Sequence, residues 1–189
     1  MATSAGNMIL VRHGQSEWNA VFNRTRVDPD IRDPHLTDEG REQAARAADA
    51  LAGAGVERLL ASPYMRTLQT AVIIAERLNL PIEVEPLVRE RTAFSCDVGT
   101  ERSRLAELWP QFDFDHLDEV WWPAGTESES KLARRCRRFH QTARAMSDWR
   151  RIAVVSHWGF IRGLTGLETK NGALVRFDPV VPAWQLMTD

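Results

Sequence analysis

Residues 8–14 read Met8-Ile9-Leu10-Val11-Arg12-His13-Gly14, and residues 152–159 read Ile152-Ala153-Val154-Val155-Ser156-His157-Trp158-Gly159. Each begins as a short continuous apolar run, the pattern of a buried strand. Each then runs into a histidine beside a turn residue. Ligands of open parallel sheets bind beyond the carboxyl ends of the strands. The two stretches, far apart in the chain, are therefore expected to bring His13, His157 and Arg12 to one mouth. Two imidazoles and a guanidinium there point to an anionic substrate, with phosphate the leading candidate.

Outward from these strands, the chain alternates strand and helix. Thr37 reads as a helix cap, with Asp38 and Glu39 in the first turn. Ala44, Ala47, Ala48 and Leu51 follow on one face, and Gly53 and Gly55 end the helix. Leu59 to Ala61 is a second strand. Ser62 and Pro63 read as cap and first residue of the next helix. Its stripe is Leu68, Val72, Ala75 and Leu78, and Asn79 and Pro81 stop it. Ile82 to Val84 is a third strand. Residues 91–125 read as irregular and rich in aromatics, the mark of a functional loop. A long amphipathic helix is predicted from about Thr126 to Met146, and a further helix passes through Ile161 and Leu164. Two short strands, Leu174 to Phe177 and Trp184 to Met187, close the order. This order predicts an α/β three-layer sandwich: a mostly parallel central sheet with helices on both faces. Residues 1–189 are read as one domain, with 91–125 as its lid or specificity segment.

At 189 residues the chain is long enough for a proper core. A net charge of −2 offers no support for nucleic-acid or membrane binding, so any positive potential must be local. Cys96 and Cys136 are too few for a disulfide framework or a zinc site, and read as reduced thiols of a cytoplasmic protein. No apolar run reaches membrane-spanning length.

The sharpest motif is Val11-Arg12-His13-Gly14-Gln15-Ser16-Glu17-Trp18-Asn19, in which Gly14 is expected to let backbone approach a ligand. With it go DPHLTDEGREQA (33–44), ASPYMRTLQTA (61–71), PLVRE (86–90) and VVSHWGFIRGLTG (154–166). In this order the motifs cover most of the chain, which resembles the histidine phosphatase superfamily, the phosphoglycerate mutase-like group. The resemblance implies that His13 is the nucleophile and becomes phosphohistidine. It implies that Arg12, Arg66 and His157 hold phosphate oxygens, that Glu90 protonates the leaving group, and that Asn19 contacts the phosphate. No metal and no cofactor are implied.

The residue chemistry agrees with those roles. Phosphoryl transfer needs positioning and charge compensation, and arginine recognises phosphate bidentately. Nearby cations keep an imidazole neutral and nucleophilic. On pattern alone, Glu90 between Arg89 and Arg91 is also a candidate surface ion pair, and Ser16 is either a phosphate contact or a cap. The run Arg134-Arg135 with Arg137-Arg138 reads as a solvated helix face, and Asn171-Gly172 as a turn. His35, His116 and His140 read as structural or surface residues.

Two departures bear on function. Trp158 stands where the family commonly has a small residue, and is expected to restrict the leaving group while its backbone N–H serves the phosphate. Residues 91–125 contain only Arg91, Arg102 and Arg104 as basic residues, fewer than a grip on a phosphoglycerate carboxylate implies. The reading is therefore a phosphatase for a small-molecule phosphomonoester. Its alternatives are a phosphoglycerate mutase and a non-catalytic relative that binds phosphorylated ligands.

Overall fold

The computed structural model describes residues 6–181. The strand expected at 184–187 lies outside them. The described elements run β1 (Met8–Arg12), α1 (Glu17–Thr25), α2 (Asp38–Leu51), β2 (Arg58–Ala61), α3 (Met65–Leu78), β3 (Ile82–Val84), α4 (Arg102–Leu108), α5 (Glu129–Ala145), β4 (Ile152–Ser156), α6 (Trp158–Thr165) and β5 (Leu174–Phe177). The sheet order is β3-β2-β4-β1-β5. All pairs are parallel except the edge pair β1–β5.

Period-two alternation divides the strand side chains between two cores. Val11, Leu59, Ala61, Ala153 and Val155 face the layer of α2 and α3. Leu10, Leu60, Ile152 and Val154 face the layer of α5 and α6. The predicted three-layer α/β sandwich, with helices on both faces of a mostly parallel sheet, is the observed fold.

Helix boundaries follow local chemistry. Thr37 caps α2 through the amide of Gly40, as its sequence position predicts. Asn79 ends α3 in the left-handed region at φ 54°. The α3 stripe is shifted by part of a turn from its predicted set: Leu68, Ala71, Ile74 and Ala75 are buried, while Val72 and Leu78 are half-buried. The expected cap also moves. Ser62 and Pro63 precede the helix, Tyr64 occupies the cap position without a side-chain bond, and Asp33 Oδ1 accepts from the Met65 amide at 2.9 Å. A distant carboxylate thus does the work expected of Ser62.

Residues 91–125 are less irregular than expected, since they contain α4. Most of the aromatics there are core. Phe114 and Trp121 are buried against Tyr64 and α3, with Trp109, Phe112 and Trp122 packed on them. The Arg134–Arg138 run is likewise not wholly a solvated face. Arg135 is buried and salt-bridged to buried Glu127. It donates to the carbonyl oxygens of Leu87 and Arg89, at 2.9 and 2.6 Å. The apolar period of α5 placed Arg135 at its border, and long-range partners drew it inside.

Candidate active site

The parallel register of β1 and β4 pairs Arg12 with Ser156. The next residues, His13 and His157, therefore leave adjacent strands side by side. The His13 amide donates to the Ser156 carbonyl at 2.9 Å, and the two rings meet edge to face with centroids 5.1 Å apart. The neighbouring strand ends at Ala61, so Ser62 arrives alongside, and its hydroxyl lies 2.8 Å from His157 Nε2. His157 Nδ1 is buried and has no hydrogen-bond partner among the described residues.

His13 Nδ1 lies 2.7 Å from the Gly14 carbonyl oxygen. A carbonyl only accepts, so Nδ1 carries the proton and Nε2 keeps its lone pair. Burial, then the charges of Arg66 and Arg12, push the His13 pKa well below the ordinary 6.5. His157 is lowered in the same way by burial and Arg66. Both imidazoles are neutral at pH 7.

Gly14 has a packing role of its own beside the ligand approach expected of it. A Cβ there would lie 2.1 Å from the Gly40 carbonyl oxygen, so its missing side chain admits the start of α2. The Gly14 amide donates to Thr70 Oγ1 at 3.1 Å, and that hydroxyl donates to the Arg66 carbonyl at 2.7 Å. The histidine loop is thus tied to both helices of one layer.

Arg66, in the first turn of α3, is almost wholly buried. It donates to the Cys96 carbonyl at 2.8 Å and to Asp97 Oδ1 at 3.2 Å, with its guanidinium carbon 4.5 Å from the Tyr64 ring centre. Burial works against its charge, but Asp97 and its other neighbours more than offset this. Arg12 donates to the Thr169 carbonyl, while its Nε is buried without a partner among the described residues. Burial lowers its pKa to about 10, against the pull of Glu90, and it remains a cation at pH 7.

Glu90 is no surface ion pair. Its carboxyl group sits at the N-terminus of α6 and accepts from the amides of Gly159 and Phe160, each at 3.2 Å, and from Arg91 at 2.8 Å. A Cβ on Gly159 would lie 2.4 Å from Glu90 Oε1, so glycine is required for this seat. Burial and the charge of Asp97 raise the Glu90 pKa above the ordinary 4.5, outweighing Arg66 and the amide donors.

Ser16 resolves as a cap. It accepts from the Asn19 amide, and Asn19 Oδ1 accepts from the Ser16 amide at 3.1 Å and from Asn171 Nδ2 at 3.2 Å. With Oδ1 so occupied, the Asn19 side-chain amide is turned to donate through Nδ2. Asn171 also donates to the His13 carbonyl at 3.1 Å. The local sequence marks it only as a turn.

A cavity of about 380 Å³ opens over these groups. Arg12, His13, Ser16, Asn19, Arg66, Glu90 and Asp97 line it. Trp18, Phe22, Phe94 and Trp158 also line it. Trp158 is half-buried at the first position of α6, and the Arg162 guanidinium lies 5.3 Å from its ring. His157 is fully buried and touches the site through His13. Within 91–125, the cavity is met only by residues between Arg91 and Asp97. Among the described residues no cluster of His, Cys, Asp and Glu could hold a metal ion, and no helix is long and apolar enough to cross a membrane. A neutral imidazole with a free Nε2, two guanidiniums and a carboxyl group of raised pKa together suit an oxyanion and its transfer to nitrogen.

Sequence reasoning missed Asp97, Ser62 and Asn171. No local pattern distinguishes them, because each acts on a residue remote in the chain.

The family described as histidine phosphatase superfamily (branch 1) matches residues 8–177. A glucosyl-3-phosphoglycerate phosphatase of Mycolicibacterium vanbaalenii is 31% identical over 183 residues, covering 87% of this chain and 76% of its own. Phosphoglycerate mutase-like protein 4 of Arabidopsis thaliana is 33% identical over 162 residues, covering 83% and 68%. Among solved structures, a mycobacterial glucosyl-3-phosphoglycerate phosphatase in complex with VO3 shares the fold. Its TM-score is 0.63 at 24% identity, over 90% of each chain.

Proposed function

The chain belongs to the histidine phosphatase superfamily, and on that premise we propose that this phosphomonoesterase works through a phosphohistidine on His13. The observation that carries the reading is the shared cavity of His13, Arg12, Arg66 and Glu90. His13 Nε2 attacks phosphorus in line with the ester oxygen, and the bond to that oxygen breaks. Glu90, whose carboxyl pKa is raised by burial, protonates the departing oxygen. Arg12 and Arg66 compensate charge on the phosphoryl oxygens, Asn19 donates through Nδ2, and His157 donates through the otherwise unpartnered Nδ1. That tautomer requires the Ser62 hydroxyl to donate to His157 Nε2. In this reading the Trp158 backbone N–H, at the start of α6, serves the same oxygens. Water then attacks the phosphohistidine, and the Glu90 carboxylate takes its proton. No metal or cofactor enters these steps.

The relatives include enzymes named mutases as well as phosphatases. Hydrolysis is favoured by the basic residues of 91–125. Arg102 and Arg104 are tied to Glu119 and Glu107 outside the cavity, and Arg91 pairs with Glu129. Arg102 and Arg104 are therefore kept from the cavity, which is lined by Arg91 and, from outside this segment, by Arg26. We read 1–189 as one catalytic unit acting on small phosphomonoesters, with 91–97 as the part of the specificity segment that meets substrate.

A panel of phosphomonoesters, assayed for phosphate release with His13→Ala as the blank, tests this reading. Release is expected from the wild type, insensitive to EDTA and inhibited by vanadate. Rapid quenching in base should trap label on the wild type and none on His13→Ala. Interconversion of phosphoglycerates without net phosphate would establish the mutase instead. Binding of phosphorylated ligands with no turnover would establish the non-catalytic alternative.

A further inference from the structure

One wall of the cavity is built from aromatic rings that the steps above do not use. Trp18 and Phe22 lie four residues apart on α1 and so share a face. Their rings stack with centroids 4.3 Å apart and planes 16° from parallel. Phe94, from the loop after Glu90, tilts against both at 5.1 and 5.2 Å. One carboxylate joins the two segments. Asp28 accepts from Trp18 Nε1 at 2.9 Å, from the Ser95 amide at 2.9 Å and from the Ser95 hydroxyl. The wall is therefore held in place before any ligand arrives. Phe94 is 44% exposed and lines the cavity. Three polar residues lie beside the wall: Arg91, bound to the Glu127 carbonyl and to Glu129, Asn23, and Arg26, whose guanidinium carbon lies 5.9 Å from the Phe22 ring centre.

We propose that Trp18, Phe22 and Phe94 form a subsite for a flat aromatic leaving group, so that the enzyme prefers phosphomonoesters of aromatic alcohols. The proposal rests on the hydrolytic reading of the site. The phosphoryl group binds at Arg12, Arg66 and His13, and the organic group extends along the ring wall of the same cavity. Aromatic rings reward a planar apolar partner through offset or edge contacts and burial. A leaving group with many hydroxyls needs hydrogen-bond partners at each of them; the three rings supply none, and only Asn23, Arg26 and Arg91 stand beside them.

The test compares 2-phenylethyl phosphate with propyl phosphate. Both release a primary alcohol of similar acidity, so their ratio reads the ring and not the leaving-group chemistry. Glucose 6-phosphate and 3-phosphoglycerate complete the panel. Wild-type kcat/KM for the phenylethyl ester is expected to exceed that for the propyl ester by at least about tenfold, mostly in KM. Phe94→Ala and Phe22→Leu should each cut that ratio to about threefold or less. Calorimetric binding of both esters to His13→Ala reads the same preference without turnover. Equal kcat/KM for the two esters, a ratio unchanged in both variants, or higher kcat/KM for the two polar substrates would each overturn the subsite. Failure of every ester to be hydrolysed would instead overturn the hydrolytic reading. In that case a tighter Kd for the phenylethyl ester still supports the subsite, and equal Kd values reject it.

Discussion

Gly14 and Gly40 meet backbone to backbone. A methyl group on Gly14 would stand 2.1 Å from the Gly40 carbonyl oxygen, and one on Gly40 equally close to the Gln15 carbonyl oxygen. The loop that carries His13 is seated on the first turn of α2 through this contact, and the Thr37 amide adds a bond to the Gln15 carbonyl at 3.0 Å. The position of the proposed nucleophile therefore depends on a helix start that lies outside the cavity.

Gly40→Ala is accordingly expected to destabilise the fold by about 1–3 kcal/mol, the usual cost of overpacking. Neither close atom is the flexible end of a side chain, so the His13 loop must shift. Activity should fall further than stability alone explains. Denaturant unfolding together with kcat/KM checks this, and an unchanged unfolding midpoint would remove the seating role.

The pH dependence follows from two displaced groups. His13 must be neutral, and its pKa lies well below 6.5, so the rising limb of kcat/KM falls below pH 6.5. Glu90 must hold its proton, and its pKa lies above 4.5, so the falling limb lies above pH 4.5. The free enzyme should show a bell whose rising limb is lower than an ordinary histidine predicts. A rising limb at or above pH 6.5 would contradict a buried neutral His13.

Glu90→Gln keeps shape and removes the proton donor. Its kcat/KM is expected to fall by about 10²–10⁴ for alkyl phosphates. The fall should be much smaller for p-nitrophenyl phosphate, whose leaving oxygen needs no proton. The falling limb of the pH profile should vanish in the variant. Equal losses on both substrates would deny Glu90 the acid role.

Glu127 neutralises buried Arg135 and half-buried Arg89, and Arg135 binds the carbonyls that lead to Glu90. Glu127→Ala leaves both cations without their carboxylate and is expected to cost about 3–5 kcal/mol. Glu127→Ala/Arg135→Met, which removes one stranded charge, should cost less than the single change. Burial acts to raise the Glu127 pKa, but its arginine partners hold it below 4.5. Its contribution is therefore complete above that value and is lost as pH falls below it. Urea unfolding at pH 7 and pH 4 measures both effects, and additive costs in the double variant would refute the coupling.

What could be read in the chain were features written in local patterns. The apolar runs ending at His13 and His157, the Thr37 cap, the αL stop at Asn79 and the α5 stripe each depend on neighbours within a few residues. The α1 helix escaped notice because its capping box uses Asn19 where Glu or Gln is the common signal.

By itself the sequence determined which strands are buried, which residue types end them and hence the class of fold and the anionic character of the site. Tertiary structure alone decided that Asp33 caps α3, that Arg135 is buried on Glu127, that Gly14 yields to Gly40, and that Trp18 and Phe94 share one wall through Asp28. Periodicity and capping are short-range and leave a signature in consecutive residues. Desolvation, charge pairing and backbone contact depend on partners brought close only by the packed sheet, and no local window contains them.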